Sequence, residues 1–422
     1  MATPAAEVFR RKQVHGKTRE RWPLLARRPA GMYPERMPMP TLVLTKVREY
    51  NFAQHHVTPG FQATDIAQAA RSVVGLHSAR LPSPYVALHT RVSGFGIRDL
   101  RRGLLDTRNL IKLRCMRRTL HVVPLDLAPV VHQATLSFRV ADCWRVFRRF
   151  GVPDTSLRRV REALVDAVAL QPFSPRAIHD ALPASLWPRS VRSQRSLRTT
   201  LVRTMIKLLW EEGVLCYLNM SPHWGSETRF YGNTQSIYPT LDLGSVSPCD
   251  AQRRLVRYHV DQFGPVTEAD TSWWSGLGRA TVRRCVQELD DIIPTRVRGL
   301  PGQFFMTRAG LSRLSTFQHP SEPWLCLLAY EDPSLKGYFD SRLRYVDAQS
   351  YGKLFNQIGE SRASIVANGR VVGIWSWDKK KGRVRCDPFD SLEAALLPRL
   401  HTAVRDLEIC LHEQMTDTAG AA

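Results

Sequence analysis

Acidic residues are scarce in this sequence: 38 Asp and Glu stand against 60 Lys and Arg over 422 residues, a formal charge of +22. A surplus of that size points to a polyanionic partner, either nucleic acid or an anionic membrane, with codon bias towards arginine as the bland alternative. Long apolar runs are missing as well. None approaches the roughly 18 residues that a membrane-spanning helix needs. The Arg-rich start lacks the apolar stretch of a secretory signal. A cytoplasmic protein without membrane attachment is therefore expected. The eight cysteines have no metal-ligand spacing, and most lie in apolar stretches, so reduced structural thiols are expected and no metal. There is no glycine-rich phosphate loop, and no cofactor is expected. What is present is 43% hydrophobic residues, which excludes wholesale disorder, in a chain long enough for several domains.

Residues 1–40 carry nine Lys/Arg and three Glu among several prolines, without sustained periodicity, and are expected to form a disordered basic arm or to precede the true start. Removing them leaves about +16 on the rest, so the charge is not a tail effect.

A first unit is expected over 41–150. Thr45 is placed as the cap of a helix reaching His56, Thr64-Asp65 opens a helix from Ile66 to about Leu76, and further helices start at Pro84 and at Gly96-Ile97. Residues 110–123 alternate as a β-hairpin turning near Arg117-Arg118. One face is apolar and the other cationic through Lys112 and Arg114. A second unit, 151–246, reads as helices over 156–169, from Ser174-Pro175 to Leu182, and over 197–212, then a strand over 214–218. A third, 247–307, repeats the order. It has a helix over 249–263, a short one capped by Thr267 with Asp270 three residues on, and a third over 278–289. A hairpin follows, turning at Gly299–Gly302. Residues 308–422 read as a mixed α/β segment with a hairpin at Asn368-Gly369 and a final helix over 392–412. The expected fold class is α+β, mainly helical: three tandem winged-helix units and a mixed C-terminal segment around a basic cleft.

In such units the third helix enters the major groove and the wing touches the backbone. Arg279, Arg283 and Arg284 lie on the third helix of the third unit. Arg192, Arg195 and Arg198 precede or line that of the second. With the cationic hairpin (Lys112, Arg114, Arg117, Arg118) they make double-stranded DNA the expected partner, contacted through phosphates. A solvated helix face is the alternative for each stripe. Trp273 and Trp274 are expected in the core. No heptad pattern suggests dimerisation, and a monomer is expected.

Four segments make the reading specific: VVGLHSARLPSPYVALHTRVSGF (73–95) with MRRTLHVV (116–123), RYHVDQFGPVTEADTSWWSGL (257–277), DPSLKGYFDSR (332–342) and NGRVVGIWSW (368–377). Their order and spacing resemble the AlkZ/YcaQ-like family of tandem winged-helix DNA glycosylases, from about Leu44 to His412. The resemblance implies a C-shaped body around duplex DNA and excision of N7-alkylated purines, bulky natural-product adducts among them, in some members as self-resistance. It also implies a β-hairpin in the cleft and a Gln-x-Gln or Gln-x-Asp motif after a Gly-Leu-like step. The matching step here is Gly75-Leu76, followed by His77-Ser78-Ala79. His77 takes the first Gln position. Ala79 takes the second and offers no side-chain hydrogen bond. Arg80 stands where a His-x-x-Asp variant of the motif has its Asp.

N7-alkylation makes the purine a good leaving group without protonation. The protein must then hold the adduct, stabilise an oxocarbenium-like sugar and place a water. Neutral His77 can orient or deprotonate that water; a histidine that only packs or touches backbone is the alternative. Arg80 is suited to a phosphate. His121, in the hairpin, either contacts DNA beside the adduct or is structural. The resemblance thus implies a base-excision DNA glycosylase acting on DNA with alkylated purines. The other reading is a non-catalytic winged-helix DNA-binding protein, for damage recognition or transcriptional regulation.

Overall fold

In the computed structural model the described residues are 39–412, Pro222 excepted; the arm expected over 1–40 lies outside them but for its last two positions. The chain enters as a two-residue strand β1 (Thr41–Leu42) and helix α1 (Leu44–Gln54). No side chain caps α1, and Thr45 sits inside its first turn rather than before it. Helix α2 (Ile66–Ser72) is capped as expected: the Asp65 carboxylate accepts from the N–H groups of Ala67 and Gln68, both at 2.8 Å.

That helix ends four residues earlier than its apolar pattern suggests. Val74 and Gly75 take φ of +52° and +104°, and the chain leaves them as strand β2 (Leu76–His77). A Cβ at position 75 would meet Val123 Cγ2 at 3.2 Å, so both the turn and the close approach call for glycine. Helices α3 (Ser83–Arg91) and α4 (Ile97–Arg101) follow, the latter prolonged by a π turn, Arg102–Asp106. The expected hairpin is β3 (Leu110–Arg114) and β4 (Leu120–Pro124), and β2 joins it in a sheet of order β2-β4-β3. Its cationic face is not free, which corrects the sequence reading. Lys112 is 7% exposed with Nζ 4.9 Å from the Tyr217 ring centre, and Arg114 pairs with Glu211 at 2.6 Å. Glu211 and Tyr217 cover that face, so alternation marked the strand but not which side met water.

Helix α5 (Ala128–Arg149) spans 22 residues without a sequence signal that announced it. It leads to α6 (Asp154–Ala167), α7 (Pro175–Ala181), a short α8 (Arg189–Arg192) and α9 (Arg195–Glu211). Strand β5 (Leu215–Asn219) then pairs antiparallel with β6 (Arg229–Asn233), and α10 (Thr234–Ile237) closes the stretch. On α6 the buried residues Leu157, Val160 and Leu164 recur at i, i+3 and i+7, each worth about 1.5–3 kcal/mol of burial.

The third helix-and-hairpin stretch has α11 (Pro248–Phe263), α12 (Glu268–Ser275) and α13 (Arg279–Glu288), then β7 (Ile292–Val297) and β8 (Phe304–Thr307). The Thr267–Asp270 capping box is present in both directions, and Gly276 ends α12 at φ +80°. Strand β1 adds to this hairpin, parallel to β7. After α14 (Arg308–Thr316) come β9 (Leu325–Leu328), α15 (Pro333–Lys336), α16 (Tyr351–Leu354), β10 (Ser364–Ala367), β11 (Arg370–Asp378), β12 (Arg383–Pro388) and α17 (Leu397–His412). The four strands make one antiparallel sheet, β12-β11-β10-β9. Asn368 and Gly369 both have positive φ, as a type I′ turn requires.

The fold is thus α+β and largely helical, and helices followed by a two-stranded hairpin occur three times. The main apolar core runs from Phe52 to Leu411 and draws on all three helix-and-hairpin stretches and the C-terminal one, with Cys216, Leu218 and Tyr238 from the second. A separate core lies between Cys143 and Tyr231. Among the described residues no helix is long and apolar enough to cross a membrane. All eight cysteines are free thiols, and only Cys249 is exposed.

Candidate active site

The sheet β2-β4-β3 carries the motif histidine into the interior. His77 lies opposite His121 in the antiparallel β2–β4 pairing, and the two imidazoles meet edge to face with centres 5.4 Å apart. His77 is therefore on a strand, not at a helix end. It is buried, and neither of its ring nitrogens has a hydrogen-bond partner. Ser78 is buried beside it with an unpartnered Oγ, while its N–H donates to Leu120 O at 2.7 Å. Burial, reinforced by His121, Lys336, Arg117 and Arg80, holds the His77 pKa well below its ordinary value of 6.5, so the ring is neutral near pH 7. His121 Nδ1 lies 3.2 Å from the Thr119 carbonyl and 3.4 Å from Cys115 Sγ. Burial draws His121 down to about 4.

A second wall comes from the C-terminal stretch. Glu331 Oε2 is 4.0 Å from His77 Nε2, and both side chains are at most 5% exposed. Lys336, at the end of α15, also contacts that carboxylate. Burial and the neighbouring Arg117 and Arg342 draw the Lys336 ammonium down to about 7, against an opposing pull from the Glu360 carboxylate. Asp332 anchors this wall to α3. It is paired with Arg91 of α3 through two hydrogen bonds, at 2.9 and 2.7 Å. Ser83 Oγ adds a bond to Tyr330 O at 2.8 Å.

The third wall is α12. Trp274 packs in the core as expected. Trp273 is only half-buried and serves as a platform for cations: Arg117 lies 3.6 Å from its ring centre and Arg342 4.6 Å, and on its other contact Phe339 stacks at 5.5 Å. Asp270, besides closing its capping box, accepts from the N–H groups of Phe339 and Asp340 at 2.8 Å and from Ser341 Oγ at 2.6 Å. His259 Nε2 lies 2.8 Å from Gly337 O. The segments 257–277 and 332–342 thus pack on each other, and together with 73–80 and 116–121 they form one site. Between them is a cavity of ≈ 20 Å³ lined by Val73, Gly75, His77, His121, Trp274 and Lys336, room for a single water.

The remaining sequence candidates are placed as follows. Ala79 is exposed. Arg80 is exposed and stacks on Tyr330 with its guanidinium carbon 3.6 Å from the ring centre. Arg118, in the hairpin turn, pairs with Asp142 at 3.2 Å. Arg192 and Arg195 are exposed, and Arg198 is half-buried on α9. On α13, Arg279 is exposed, Arg283 pairs with Glu268 at 3.0 Å and Arg284 approaches Glu288 at 3.9 Å. These stripes sit on helices other than those that enclose His77. Two residues of the cluster were not foreseen, Glu331 and Lys336; Trp273 packs against the core as expected, and its part-exposed ring serving the cations was not foreseen. Their signal was position alone, since Glu331 immediately precedes the segment 332–342 and Lys336 lies in it. Among the described residues no three His, Cys, Asp or Glu side chains are grouped to hold a metal.

The family described as DNA glycosylase AlkZ-like matches residues 70–409. Among solved structures, Streptomyces sahachiroi DNA glycosylase AlkZ superposes with a TM-score of 0.70 at 16% identity, covering 88% of this chain and 97% of that one. No curated protein matches the chain.

Proposed function

The chain belongs to the AlkZ-like DNA glycosylase family, and from that premise we propose that it hydrolyses the N-glycosidic bond of N7-alkylated purine nucleotides in duplex DNA. The observation that carries this reading is His77: a buried, neutral imidazole with both nitrogens unpartnered, on the motif position of a family of DNA glycosylases. A buried polar ring without partners costs stability, about 1–3 kcal/mol for each unmet group, and such a cost is characteristic of a group kept for chemistry. The alkylated purine already carries positive charge, so the site needs no acid. It needs a held water and a means to tolerate the developing sugar cation. His77 orients or deprotonates that water. The enzyme acts as a monofunctional glycosylase and a monomer in the cytoplasm. Bulky natural-product adducts, and self-resistance to the compound that makes them, extend the same reading.

Incubation with a duplex containing one N7-methylguanine tests it. Free base should be released, and the strand should break at that position only after heating with alkali. Exposed Ala79, which has no functional group, and the enclosure of His77 favour the second reading, a binder without catalysis. Tight binding of the same duplex with no released base would establish that reading instead.

The exposed arginines Arg192, Arg195 and Arg279, with stacked Arg80, are proposed to contact phosphates. Binding should then fall steeply with salt, by about 10³–10⁵ between 50 and 200 mM if 6–10 phosphates are contacted. A flat response in a fluorescence-anisotropy titration would remove them from the interface.

A further inference from the structure

We propose that Glu331 is a catalytic residue of this site, the carboxylate that takes the proton from the attacking water. The proposal rests on the glycosylase reading above. The group that the motif lacks at Ala79 is thereby supplied from the C-terminal stretch.

Four observations carry it. Glu331 Oε2 faces His77 Nε2 at 4.0 Å, a gap suited to one water bonded to both. The two carboxylate oxygens have separate tasks. Oε1 accepts the Ser361 N–H at 2.8 Å, which fixes the side chain, while Oε2 is turned to Lys336 and His77. A loop clasp alone would need only the first. The backbone of Glu331 has φ +58°, a conformation that residues other than glycine adopt rarely and at a cost. Of the seven non-glycine residues with positive φ among the described residues, four (Val74, Arg117, Arg118 and Glu331) stand on the three chain segments that converge here. Strain gathered at one place, where two buried polar groups face each other, is what a preorganised site requires. Finally, burying a carboxylate is costly without a partner, and Lys336 is that partner.

In the step itself the C1′–N9 bond breaks and its electron pair passes to the purine, cancelling the charge at the alkylated N7. The water oxygen bonds to C1′, and the proton it loses goes to Glu331 Oε2. His77, neutral, holds the water by a hydrogen bond. Before attack, the carboxylate also sets a negative charge against the oxocarbenium-like sugar.

Single-turnover base release and the Kd for a duplex with one N7-methylguanine should be measured for wild type, Glu331→Gln and Glu331→Asp. Glu331→Gln should slow release by about 10²–10⁴-fold while Kd stays within a few-fold. A role only in holding the loop would leave the rate of the folded variant close to wild type. If Glu331→Gln does not fold, Glu331→Asp keeps the charge for Lys336 and Ser361 but draws it away from His77, and a loss of tenfold or more is expected. Wild-type release with undiminished rates in the folded variants overturns the role of Glu331 and leaves the glycosylase reading standing. No release by wild type overturns both.

Discussion

Replacing Arg91 with leucine should destabilise the protein by about 3–5 kcal/mol. Arg91 and Asp332 are both 0% exposed, and their two hydrogen bonds are supplemented by bonds from Arg91 to Ala87 O at 2.9 Å and to Ser334 Oγ at 2.8 Å. Leucine fills much of the volume but leaves Asp332 as a lone buried charge, and that penalty dominates the loss. The denaturation midpoint should fall while the slope m is unchanged. The double variant Arg91→Leu/Asp332→Asn should recover most of the loss, because no unpaired charge remains and the asparagine can still accept from Ser334 N–H, which Asp332 does now at 2.9 Å. A single variant within 1 kcal/mol of wild type would mean that water reaches the carboxylate and that the anchor is weaker than its burial implies.

That pair also marks where sequence reasoning stopped. Locally specified features were legible. Asp65 and Thr267 cap their helices because their side chains meet N–H groups two or three residues on, and Asn368-Gly369 turns because of its own backbone preference. Features set by distant contacts were not. Helix α5 has polar residues on buried positions, His132 and Arg139, and this blurred its amphipathic period; Glu211, the partner of Arg139, lies 72 residues away. Strand β6 follows β5 after a nine-residue connection rather than a tight turn. The end of α2 looked helical because Val73 and Val74 continue the apolar stripe, yet Val74 sits at φ +52°. The charge surplus misled in a related way. Arg91, Arg139 and Arg344 are among the largest fully buried side chains, and Lys112 and Arg114 face protein, so part of the basic content holds the chain together. For the site, His77 was visible through its motif. Glu331 was not, since its approach to His77 depends on the Arg91–Asp332 bond across 241 residues.

The substitution His77→Ala should slow single-turnover release from the N7-methylguanine duplex by about 10²–10⁴-fold, the range for losing a positioned acid–base group. DNA binding should stay within a few-fold of wild type. The reason is the environment of the ring. His77 is almost wholly enclosed, so it offers no surface to a phosphate, and burial keeps it neutral near pH 7, so its removal takes no charge from the protein. The slope of log Kd against log salt should therefore be unchanged, since that slope counts neutralised phosphates. No hydrogen bond is lost, since both ring nitrogens lack partners, and the loss of stability comes from the cavity that the enclosed ring leaves. His77→Gln separates the two roles left for the ring. A glutamine amide can hold a water but is not a base. A His77→Gln enzyme within tenfold of wild type would assign His77 to orienting the water and leave the proton to a carboxylate. A loss as deep as that of His77→Ala would make the imidazole itself the proton acceptor. Full activity in His77→Ala would place the water elsewhere and remove this histidine from the mechanism.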